Sequence, residues 1–129
     1  MARSLTVAAE CDRPGIDAGM LEGLLGTMLD GDIEIVLTDP GCMRVLNRRF
    51  RMIDRPTDVL TFDMSEGPGA PEGVIYVDCR LFPPLEAVLE RVFHGYLHLA
   101  GHTHDSPRDE EEMSGLTAEL VRRAMEAAG

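Results

Sequence analysis

The sequence predicts a single α+β domain, with about four strands in a mixed sheet packed by about four helices. Short apolar runs, alternating or continuous, recur between clusters of turn-forming Gly, Pro and Asp, as strands do. Longer runs repeat their apolar residues every three to four positions, as one face of a helix does. The chain has 129 residues, 44% of them hydrophobic, enough to bury a core without disulfides. No internal repeat or linker divides it.

Ser4 to Ala9 alternate well enough for a first strand, and the polar run Glu10 to Gly15 turns the chain. Ile16, Met20, Leu21, Leu24, Leu25, Met28 and Leu29 recur at helical spacing and predict one apolar face of a helix ending near Asp30-Gly31. In Asp32 to Thr38, Ile33, Ile35 and Leu37 alternate with Val36 between them, giving a second, well buried strand. Asp39 is placed to cap the next helix and Pro40 to begin it, where its missing amide would be unpaired anyway. Met43, Leu46, Asn47 and Phe50 fall on one side of that helix, and Arg44, Arg48 and Arg51 on another. Asp54 to Asp58 form a polar loop, a candidate for function, before a third strand over Val59 to Phe62. Ser65 to Glu72, with Gly67, Pro68, Gly69 and Pro71, is the most flexible stretch. Gly73 to Cys79 is a fourth strand. Pro83-Pro84 then breaks the chain before an amphipathic helix built on Leu85, Val88, Leu89, Val92, Phe93, Tyr96 and Leu97. A last helix follows Ser106-Pro107; its early acids, Asp109 to Glu112, suit the positive end of the dipole, and Met113, Leu116, Leu120, Val121 and Met125 supply its apolar face.

The net charge of −11 argues against indiscriminate nucleic-acid binding, which depends on neutralising phosphates. Distribution matters more than the sum: all twelve basic residues are arginine, and Arg44, Arg48, Arg49, Arg51 and Arg55 fall within twelve positions. One basic patch on an anionic surface is expected. Cys11, Cys42 and Cys79 are widely spaced and form no C-x-x-C pair, so buried reduced thiols are expected in place of a disulfide framework. No charged-then-apolar leader is visible, and no apolar run approaches the ~18 residues of a membrane span. A cytoplasmic protein with no membrane partner is expected.

All four histidines lie in the segment His94-Gly95-Tyr96-Leu97-His98-Leu99-Ala100-Gly101-His102-Thr103-His104. His94 and His98, four apart on a helix, face one way and can grip one ion. Gly101 suits a left-handed exit that would return His104 over the metal as third ligand, giving H-x3-H-x2-G-x2-H. A helix continued through Gly101 would instead present His102. The spacing is that of the metzincin proteases, so the helix reads as zincin-like, but Gly95 stands where those enzymes carry the glutamate that acts as general base. A glycine cannot take a proton from water.

Two segments carry a wider likeness. Leu46-Asn47-Arg48-Arg49-Phe50-Arg51-Met52-Ile53-Asp54-Arg55-Pro56-Thr57-Asp58-Val59-Leu60-Thr61-Phe62 is similar to a pattern N-x3-R-x2-D-x-P-T-D-V-L-S-F, and the histidine segment to H-G-x-L-H-L-x-G-x-D-H. Both belong to the YbeY-type endoribonucleases, metal-dependent maturation factors of bacterial ribosomal RNA, which the chain resembles over nearly its whole length. Thr103 stands where that pattern has Asp, with Asp105 near enough to replace it as a carboxylate behind the metal ligands. The stretch between Cys79 and His94 is short for the family. The resemblance implies metal binding by His94, His98 and His104 and a catalytic role for Arg51, whose planar fork of donors matches phosphate oxygens. Arg48 and Arg55 join it as substrate-binding residues. Without the resemblance, an arginine satisfying helix C-terminal carbonyls would explain Arg51, and turn hydrogen bonding would explain Thr57 and Asp58.

The expected function is that of a zinc-dependent, single-strand-specific endoribonuclease in ribosomal RNA maturation and quality control; another divalent transition metal is an alternative cofactor. The partners implied are single-stranded rRNA and a protein of the small ribosomal subunit; no DNA partner is expected. The rivals are a metallopeptidase of metzincin-like geometry and a non-catalytic, metal-containing ribosome-assembly factor.

Overall fold

The computed structural model describes residues 4–11, 16–102 and 105–129. The expected turn over 12–15, Thr103 and the ligand His104 lie outside them. The elements run β1 (Ser4–Ala9), α1 (Ala18–Gly26), β2 (Asp32–Thr38), α2 (Pro40–Arg51), β3 (Val59–Asp63), β4 (Glu72–Asp78), α3 (Pro84–Leu99) and α4 (Pro107–Ala128). The four strands form one mixed sheet in the order β1-β2-β4-β3. β1, β2 and β4 are parallel, with Val7 beside Ile35 and Ile35 beside Ile75. β3 is antiparallel to β4, with Thr61 opposite Ile75, so β3 is a free edge. The α+β class, the single domain and the element count agree with the sequence.

Strand alternation divides the sheet between two helical layers. Ile33, Ile35, Leu37, Ile75 and Val77 project into one core with Leu21 and Leu25 of α1, Val88, Leu89, Val92 and Phe93 of α3 and Ala124 of α4. Val36, Thr38, Leu60 and Tyr76 belong to the opposite parity and turn toward α2, whose Met43 and Asn47 are buried. A fully buried Phe93 or Leu89 side chain stabilises the fold by roughly 1.5–3 kcal/mol relative to exposure.

Several expectations change in detail. α1 stops at Gly26, short of Asp30-Gly31. Gly23 and Gly26 weaken its last turns, the Thr27 hydroxyl bonds the Leu24 carbonyl at 2.8 Å, and the Tyr96 hydroxyl takes the Asp30 amide at 3.2 Å. Leu29 is buried from the turn, and Met20 is 42% exposed. Asp39 caps α2 as expected, accepting from the Cys42 amide at 2.8 Å. Phe50, however, is exposed and does not join the core. On α4, Thr117 and Ala124 are buried while Leu116 and Met125 are partly exposed, so the buried stripe is narrower than the apolar pattern. Among the described residues no helix is long and apolar enough to cross a membrane.

Candidate active site

α3 carries the histidine pair. Proline occupies its first turn and the face of Val88, Leu89, Val92, Phe93 and Leu97 is buried against the sheet and α4, which leaves His94 and His98 half-buried on its margin. Their ring centroids are 4.9 Å apart with planes at 79°. The helix then ends abruptly. Gly101 has φ +97°, its amide donates to the His98 carbonyl at 3.1 Å, and the His102 amide donates to the Leu97 carbonyl at 2.9 Å. This paired closure is a Schellman motif, which spends the last carbonyls and needs a left-handed residue. His102 is therefore off the helix, and the alternative stripe of His94, His98 and His102 does not form.

Two imidazoles one turn apart fit as two ligands of one ion, whose bonds to nitrogen run about 2.0–2.1 Å. Among the described residues no group of three or more His, Cys, Asp or Glu side chains converges to hold a metal, so His102 does not complete the pair. Asp105 is exposed in the turn before α4.

Gly95 has a structural reason. A Cβ there would lie 2.7 Å from Thr61 Oγ1, closer than real Cβ atoms come, and a tight 3.1 Å from Ile75 Cγ2. The glycine lets α3 lie directly on β3 and β4. A larger residue at this position, the glutamate of a metzincin included, would require Thr61, Ile75 or the helix itself to shift.

Thr61 joins this helix to Arg51. The pairs Asp78 amide to Asp58 carbonyl and Met64 amide to Glu72 carbonyl show that even-numbered residues of β3 bond β4. Antiparallel alternation then points the Thr61 carbonyl out of the open edge. Arg51, the last residue of α2, donates to it at 3.0 Å and lies 5.9 Å from the Phe62 ring. So one strand residue faces the histidine helix with its side chain and Arg51 with its carbonyl. The arginine caps a strand edge and not the helix carbonyls.

Met52 follows Arg51 in the left-handed region, φ 60°, and turns the chain into the 53–58 loop. Asn47 Nδ2 holds the Arg55 carbonyl at 2.9 Å, which fixes that loop against α2. Arg44 grips Asp54 through two bonds, 2.8 and 3.3 Å, and lowers the Asp54 pKa by that hydrogen bond. Arg48, in the last turn of α2, and Arg55, in the loop, are both exposed.

The sequence did not disclose one contact. Arg91, three residues before His94, bonds Asp58 at 2.8 Å and Glu90 at 2.7 Å. Burial opposes its charge, but the two carboxylates hold the guanidinium pKa above its usual value. Asp58 and Arg91 line, with His94, Thr117 and Val121, a cleft of about 810 Å³ between α3 and α4. The placement of Arg91 one turn before a histidine is a signal readable in hindsight; its partner is not, because the pair is 33 positions apart.

A family model described as Endoribonuclease YbeY matches residues 21–79, from α1 to the end of β4. The Endoribonuclease YbeY of a Nitratiruptor species is 35% identical over 92% of this chain and 88% of its own length. That of Nautilia profundicola is 33% identical over 83% of this chain and 82% of its own. The solution structure of TM1509 from Thermotoga maritima superposes with a TM-score of 0.63 at 28% identity, covering 94% of this chain and 89% of that one. With relatives this similar spanning both the arginine loop and the histidine helix, the chain belongs to the endoribonuclease YbeY family.

Proposed function

We propose that this chain is a zinc-dependent endoribonuclease that cuts single-stranded RNA in ribosomal RNA maturation and quality control, recruited by a protein of the small ribosomal subunit. The observation that carries the reading is Thr61, whose two sides meet the histidine helix at Gly95 and the Arg51 guanidinium.

Zinc, or another divalent transition metal, held by His94, His98 and His104 would supply Lewis acidity and an acidified water at a bound phosphate. Arg51 has the complementary task. Its guanidinium keeps its charge at any working pH and matches two phosphate oxygens at once, so it orients the scissile phosphodiester and stabilises charge building on it. Thr61 accepts one donor of the fork and sets the side chain along the strand edge. Arg48 and Arg55 hold neighbouring phosphates of the strand. Asn47 and the Asp58–Arg91 pair fix the loop between the arginines and the histidine helix.

Metal-loaded protein incubated with a single-stranded RNA and with an unstructured peptide tests the assignment. RNA cleavage that a chelator abolishes is expected, with the peptide intact. Peptide cleavage would favour the metallopeptidase, and no cleavage of either would favour an assembly factor.

A further inference from the structure

The chain has four phenylalanines, two tyrosines and no tryptophan, and three of these six rings gather beside Arg51. Phe50 and Phe62 meet edge-on at 5.3 Å between centroids, and Phe62 meets Tyr76 edge-on at 5.8 Å. Phe50 is 55% exposed. The Arg49 guanidinium lies 5.6 Å from the Phe50 ring centroid, and that of Arg51 lies 5.9 Å from Phe62. The last turn of α2 thus displays Arg48, Arg49 and Arg51 around an open aromatic ring, and the nearby Asp54 is engaged by Arg44.

An exposed ring costs apolar surface, and Phe50 is covered only in part, by Phe62 and Arg49. Its surroundings select the occupant. Cationic groups on both flanks repel a basic or cationic ligand and attract a phosphate-bearing one, while the ring offers a π-face to a flat partner. A nucleotide has both features, and stacking on an aromatic ring suits single strands because paired bases are not splayed out.

We propose that Phe50 is a stacking platform for a nucleobase next to the phosphate that Arg51 holds, with Arg49 moving from the ring to the adjoining phosphate as the base arrives. The subsite lies on the α2 side of the β3 edge and the histidines on the α3 side. The RNA strand therefore crosses the free edge, base on one side and scissile phosphate at Arg51. This deepens the endoribonuclease reading and rests on it.

Because the chain lacks tryptophan, Phe50→Trp places a single indole reporter in the site of the full-length, metal-loaded protein. A 2′-O-methyl adenylate hexamer is expected to quench its fluorescence, while an abasic strand of equal length and charge is not. Phe50→Ala is expected to raise KM for a single-stranded RNA about tenfold with kcat nearly unchanged, and Phe50→Tyr to restore it. Equal fluorescence responses to the two strands, or an unaltered KM in a folded Phe50→Ala, would overturn the platform and leave nuclease action standing. A Phe50→Ala protein that lost thermal stability while the indole still failed to respond would show a packing role instead. If the unsubstituted protein neither binds nor cuts RNA, both the platform and the endoribonuclease reading fall together.

Discussion

Gly95 decides how closely α3 can approach the sheet, and with it where His94 and His98 stand. Gly95→Ala places a Cβ 2.7 Å from the Thr61 hydroxyl and against Ile75. Overpacking of this kind costs about 1–3 kcal/mol, so a urea midpoint clearly below that of the unsubstituted protein is expected despite alanine's better helix propensity. An unchanged midpoint would mean that the helix yields freely. Arg51 behaves oppositely. Its bond to the Thr61 carbonyl is exposed, so water replaces it when the side chain goes, and Arg51→Ala is expected to alter stability by less than about 1 kcal/mol. Cleavage is expected to vanish while metal content holds. Arg51→Lys is expected to recover only part of it, since an ammonium keeps the charge without the fork. A fully active Arg51→Ala would remove Arg51 from the mechanism.

Among the elements, the histidine helix is readable in the sequence because its signals are local. Four-residue spacing sets a shared face, and Gly101 marks the exit, which the structure realises with φ +97°. Since the exit carries His102 away from that face, His94→Ala and His98→Ala are expected to empty the metal site and His102→Ala to keep it loaded, as measured by metal content per chain. An empty His102→Ala would reassign the third ligand. Contacts made by chain reversal are not readable in this way. The turn after α1 is tied at Asp30 by a hydroxyl from α3, and Arg91 by a carboxylate 33 positions away. Helical spacing puts Phe50 on the face of Met43 and Asn47, but it does not say what covers that face, and at Phe50 only Phe62 and Arg49 do so in part. The cysteines show the same limit: Cys11 and Cys79, far apart in sequence, follow the parallel strands β1 and β4, and Cys11 acts on the Cys79 thiol. Burial first, and the neighbouring Cys11 second, push the Cys79 thiol up to about 12. A raised folded pKa means stability is full below the unfolded thiol value, about 8.5, and declines as pH rises from there toward 12. The urea midpoint is expected to fall between about pH 8 and 10, and less so in Cys79→Ala; identical slopes would exclude the thiol as the cause.

Across the whole molecule, the charge of −11 and the arginine cluster act at different ranges. With Arg48, Arg51 and Arg55 each meeting a phosphate, as we propose, three such contacts give binding a slope of about −2 in log K against log salt for a single strand. Farther out, a polyanion meets the net charge of the whole molecule, which repels it over a range set by a Debye length of about 8 Å at physiological salt. Long-range repulsion slows encounter with free RNA while leaving a docked strand well held. The enzyme we propose therefore depends on delivery: a partner on the small ribosomal subunit brings a single strand within reach of the patch, and the local contacts then operate. Cleavage of a naked ribosomal RNA fragment is expected to be slow and salt-sensitive. It is expected to rise when ribosomal particles are the substrate at the same salt, and to stop when a chelator is added. Lowering salt sharpens the distinction, because the local contacts strengthen while the repulsion reaches farther. If naked RNA were cut as fast as RNA within particles at matched ionic strength, recruitment would have no part in targeting, and the arginine patch alone would account for capture.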